Sequence, residues 1–80
     1  MKTVEIIDIM IDRIQHNERF SKKDVNKINK YFDRDNKELD VINTKLSKIY
    51  VKYLLDKPDL NGEDIQQIVD KLKLLKSEIK

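Results

Sequence analysis

Apolar residues recur along this chain at alternating steps of three and four, in three series. The first is Val4, Ile7, Ile11 and Ile14. The second is Val25, Ile28, Phe32, Asp35, Leu39, Ile42, Leu46, Ile49 and Tyr53, apolar except at Asp35. The third is Ile65, Ile68, Leu72, Leu75 and Ile79. Such spacing keeps side chains on one face of an α-helix, and its mean of 3.5 residues is that of helices packed at shallow angles, as in coiled coils and bundles. The pattern predicts an all-α chain.

Two stretches forty residues apart, "FSKKDVNKI" and "LNGEDIQQI", are nearly the same sentence. Both are readable as helix starts. Ser21 and Asn61 occupy N-cap positions, with Asp24 and Asp64 three residues on to complete a capping box. Phe20 can staple onto Val25, and Leu60 onto Ile65. A carboxylate in the first turn also meets the positive end of the helix dipole. This physics accounts for every matching position, so a duplicated binding motif is not required.

The caps and stops delimit three helices in one domain: A over about 3–16, B over about 22–56 and C over about 62–79. Asn17 is a residue type suited to the left-handed conformation that ends a helix. Pro58 forces Lys57 out of α geometry and ends B. Within B, "FDRDNKEL" is the weak point, because Asp33, Asp35 and Asn36 are poor helix formers. The heptad phase nevertheless passes through unshifted, and neither Gly nor Pro interrupts it.

The favoured expectation is therefore short–long–short, with B a single rod of roughly 50 Å. A and C would fold back along its two halves, giving a layer only two helices thick. Ile6, Ile9, Val41, Val51, Leu55 and Leu74 would then stay wet, and a two-fold homodimer would cover them. The alternative is a break near Asp35, which permits a compact four-helix monomer.

Composition narrows the function classes. Eighty residues with no Cys exclude disulfides and thiolate metal sites. A chain this short hides only about 60–65% of its unfolded surface. Glu5, Asp8 and Asp12 interrupt the apolar core that a signal peptide needs, and no apolar run is long enough to span a membrane, so a cytoplasmic protein is expected. Abundant Lys, Ile, Asn and Asp with no Ala suit an AT-rich source such as a phage or mobile element.

No chemistry-bearing motif emerges. The single His, His16, sits in the last turn of A, where it suits the dipole. "DRDNKELDVINT" begins like a calcium loop but places Lys37, Glu38 and Thr44 where a ligand, a Gly and a closing acid belong. No Gly-rich phosphate loop is present. No enzyme, cofactor or metal is expected.

Charge is the one feature above background. Residues 20–57 carry ten Lys/Arg against six Asp/Glu, a net of +4, while each flanking segment nets −1. On a continuous helix B, Lys23, Lys27, Lys30, Arg34, Lys37, Lys45, Lys48 and Lys52 fall within one arc of about 80° opposite the seam. Such a face suits an acidic protein partner or a nucleic acid, the latter through phosphates and with little base reading. Asn26 and Asn43 lie beside the stripe. A helix-turn-helix variant would use Ser21–Phe32 and Asn36–Asp56. The expected function is a small regulatory protein that modulates a host macromolecule, with a protein target favoured over nucleic acid.

Overall fold

Several helix ends lie where local chemistry directs them. In the computed structural model, which describes residues 3–33 and 40–79, α1 spans Thr3–Gln15, α2 Lys22–Phe32, α3 Asp40–Asp56 and α4 Gly62–Glu78. Asn17 takes φ 51°. The amides of Asn17 and Glu18 donate to the carbonyls of Ile14 and Arg13 at 2.9 Å, closing a Schellman motif at the end of α1. Both capping boxes form: Ser21 Oγ accepts from the Asp24 amide at 3.1 Å, and Asn61 Oδ1 from the Asp64 amide at 2.8 Å. The two carboxylates accept from the cap amides in return. A 3-10 turn at Lys57–Asp59, carrying Pro58, separates α3 from α4.

The continuous helix B is overturned, and with it the three-helix, two-layer arrangement. The described residues form four α-helices, as in the compact alternative. A single rod would hold Phe32 and Tyr50 about 27 Å apart, yet their ring centroids lie 6.4 Å from each other. Phe20, expected at the opposite end of B from Tyr53, meets that ring edge-on at 5.8 Å and tilts against Tyr50 at 5.2 Å. A 50 Å rod also exceeds the longest dimension of the molecule, 34 Å. The expected break point at Asp35, and with it Leu39, lies outside the described residues.

Folding back wins because it gives the chain an interior of its own. Ile6, Ile7, Met10 and Ile14 of α1 are fully buried, with Ile28 and Tyr31 of α2, Leu46, Tyr50 and Tyr53 of α3, and Val69, Leu72 and Leu75 of α4 around them. The radius of gyration of 12.0 Å is close to the roughly 11.6 Å expected of a compact domain of this length. Helix α1 faces three neighbours, most closely α4, so its buried arc is wider than a coiled-coil seam and rotated toward Ile6 and Met10. Val4 and Ile11, assigned to the stripe, are only half-buried.

Two tyrosine hydroxyls, those of Tyr31 and Tyr53, fasten the fold-back. Thr3 Oγ1 donates to the Tyr31 hydroxyl at 2.6 Å, and that hydroxyl donates to Asn43 Oδ1, tying α1, the end of α2 and the start of α3 together. The Tyr53 hydroxyl donates to the Glu18 carbonyl at 2.9 Å, with Asn17 Oδ1 at 3.1 Å. No buried side-chain N or O atom among the described residues lacks a partner.

Candidate functional site

The seam of α3 turns inward, so its opposite face is solvent-exposed. That face carries Val41 at 67% exposure, Val51 at 49% and Leu55 at 75%, interleaved with the exposed Lys45, Lys48 and Lys52. Five described positions on α3 (Val41, Lys45, Lys48, Lys52 and Leu55) thus crowd into an arc of about 80°. Among the described side chains this face has no acid, and none of the three lysines makes an ion pair. Leu54, 47% exposed, flanks it.

The remaining positions of the expected basic stripe are placed differently. Lys23 and Lys30 are exposed and Lys27 half-buried on α2, a separate helix, so the cations form two groups rather than one straight row. Arg34 and Lys37 lie outside the described residues. Asn43, placed beside the stripe in the sequence reading, is half-buried and occupied by Tyr31. Asn36, where the helix-turn-helix variant would start its second helix, also lies outside the described residues.

Of the residues assigned to self-association, Ile6 is fully buried and Ile9 packs against the core, so neither needs a second subunit to cover it. Val41, Val51, Leu55 and Leu74 are exposed, Leu74 by 62%. Leu74 lies in a groove of about 300 Å³ between α3 and α4, with Ile49 and Leu75 as floor and Lys45, Lys48, Lys71 and Glu78 around it. A second depression of about 230 Å³ continues along the same helix pair at Lys52, Asp56, Leu60, Asp64, Gln67, Ile68 and Lys71. The groove pairs residues from two separate helices, so nothing in the sequence placed Lys71 and Glu78 beside Lys45 and Lys48, and Leu75 was legible only as a member of its own apolar stripe.

A third depression, about 520 Å³, lies beside Arg19, Phe20, Tyr53, Leu54 and Lys57. The Tyr53 hydroxyl there is already bonded to the Glu18 carbonyl. Ion pairs form elsewhere among the described residues. Arg13 Nε donates to Asp24 Oδ2 at 2.9 Å, its Nη1 pairs with Asp12, and Lys76 Nζ lies 2.7 Å from Asp8. Asp24 is the buried charged side chain among the described residues, 6% exposed. Burial alone would push its carboxyl up; the hydrogen bond from Arg13 and those at Ser21 outweigh it and hold the carboxyl below its ordinary value. The same hydrogen bond raises the Arg13 guanidinium. Burial pushes the Tyr50 and Tyr53 hydroxyls up, reinforced by Asp24 and Glu18 respectively. These groups belong to the scaffold.

His16 Nδ1 donates to the Asp12 carbonyl at 2.8 Å, the helix-terminal role expected of it. Among the described residues no group of three or more His, Cys, Asp or Glu side chains is placed to hold a metal ion, and no helix is long and apolar enough to cross a membrane. No protein family, curated protein or solved structure matches the chain.

Proposed function

We propose that this chain is a non-catalytic binding module that presents the outer face of α3 to an acidic region of a protein partner. The observation that supports this reading is the composition of that face: three exposed lysines that make no ion pair among the described residues, interleaved with Val41, Val51 and Leu55. Apolar side chains that dock and cations that steer are what a protein interface combines. A nucleic acid backbone would use the lysines alone and gain nothing from the apolar residues. In this reading the chain acts by occupying its partner, as a regulatory product of phage or mobile-element type would.

The test uses two folded variants, Lys45→Glu/Lys48→Glu/Lys52→Glu and Val51→Ser/Leu55→Ser. Crosslinking in the source cell is expected to trap a protein with the unmodified chain and to lose it with both. Binding to generic duplex DNA or RNA that collapses between low and moderate salt, and that ignores the apolar variant, would overturn the reading in favour of nucleic acid. A sedimentation mass of twice 9.6 kDa that reverts in the apolar variant would assign the face to a second copy of the chain.

A further inference from the structure

Resting on that reading, we infer that the α3–α4 groove is the seat of the partner, and that its occupant is an amphipathic helix with an apolar ridge and acidic flanks. The outer face of α3 is convex and could meet any acidic surface. The groove beside it is concave, and its volume of about 300 Å³ is bounded by apolar side chains from two helices. A concave apolar floor takes the ridge of side chains that a helix presents at i, i+3, i+4 and i+7. Leu74 lines that space and is 62% exposed, so its side chain is open to an occupant.

The charge around the floor selects the sign of the occupant. Lys45 and Lys48 line it from α3 and Lys71 from α4, against the single acid Glu78. None of these lysines is paired among the described residues, whereas Lys76 on the other side of α4 is engaged by Asp8. Acidic side chains flanking an apolar ridge would therefore find cations on both walls. A helix with basic flanks would meet like charge on both.

The trough also has a direction. Lys71 joins this groove to the depression nearer the α3–α4 turn, where Lys52 is balanced by Asp56 and Asp64. Net positive charge is thus confined to the end away from the turn. The bound helix would place its acids over Lys45, Lys48 and Lys71, and its neutral or basic end toward Asp56. A flat lipid surface cannot enter such a trough, and a phosphate backbone has no ridge to fill it.

A display library of random helical peptides, about four turns long, tests this when panned on the intact chain at moderate salt, with generic duplex DNA and anionic vesicles as parallel probes. Enriched peptides are expected to carry Leu or Ile at helical spacing with Asp or Glu beside them. Their affinity should fall about tenfold or more for Leu74→Glu and for Lys45→Glu/Lys48→Glu, both at exposed positions, with helicity unchanged by circular dichroism. Amide shifts on binding should concentrate at Ile49, Leu74 and Leu75. Neutral or basic peptides would overturn the inference. Acidic peptides that shift Val51 and Leu55 but leave Leu74 silent would remove the groove and preserve the binding face of α3. No enrichment, or binding of duplex or vesicles alone, would remove both.

Discussion

Ser21 and Asn61 cap their helices with the same reciprocal pair of hydrogen bonds, built from nearly the same residues, yet the two helix starts have different fates. The first is drawn into the structure. Its Asp24 is buried and bound by Arg13 of α1, and its Phe20 stacks against Tyr50 and Tyr53 of α3. The second stays at the surface: Asn61 is exposed, Asp64 half-buried, and Leu60 lines a shallow depression. A cap is a local device that forms wherever its residues occur. Whether it also becomes a tertiary joint depends on what the rest of the chain brings to it.

Truncating the residue before each cap should separate the two most. Phe20→Ala is expected to cost about 2–3 kcal/mol, because it strips two ring contacts and opens space against the core. Leu60→Ala, at the matching position, should cost about 1 kcal/mol. Urea denaturation midpoints at constant slope measure both; equal losses would mean that the aromatic joint contributes nothing special.

Removing the carboxylates comes next. Asp24→Ala should destabilise by about 2 kcal/mol, since the cap bond is lost and the Arg13 contact with it. Asp64→Ala forfeits only the cap, about 1 kcal/mol.

The same contrast has a pH signature. The folded Asp24 carboxyl titrates below its unfolded value, so between the two the unfolded chain binds more protons and stability rises with pH. The contribution is complete above the ordinary carboxylate value, near pH 3.9, and fades as pH falls through the depressed one. The stability gap between the unmodified chain and Asp24→Asn should therefore narrow as urea titrations move from pH 6 toward pH 3. Arg13→Gln should weaken that pH dependence, because it deletes the largest of the contacts holding the carboxyl down.

The smallest effect concerns the residue after each cap, Lys22 in α2 and Gly62 in α4. An added Cβ at Gly62 meets nothing within 4 Å, and the backbone there does not take a positive φ. Gly62→Ala should stabilise by about 0.5 kcal/mol through the unfolded state, raising the melting temperature slightly. A loss instead would show that α4 starts in a conformation Ala resists.

Much of the fold was legible in the residues. The helix starts at Ser21 and Asn61, the left-handed stop at Asn17 and the end of α3 before Pro58 all follow from interactions within a few positions. The separation of α2 from α3 was visible only as weakness: Asp33, Asp35 and Asn36 lower helix propensity, while the unshifted heptad phase argued for continuity. That phase proved uninformative because both halves bury the same kind of seam whether the helix is straight or folded back. Of the candidate site, Lys45, Lys48, Lys52, Val41, Val51 and Leu55 were readable from α3 alone, since they share one helix. Lys71 and Glu78 were not, because nothing in the periodicity of α4 says which helix it will flank.

Local order, then, was determined by the sequence on its own: four caps and stops, the helical periodicity and the sign of the charge on each segment are set by neighbours within one or two turns. What only the tertiary structure decided was the choice between a rod and a bundle. That choice turns on contacts such as Phe20 with Tyr53 and Tyr31 with Asn43, between residues far apart in the chain, whose combined burial outweighs the modest preference of a few residues for staying helical.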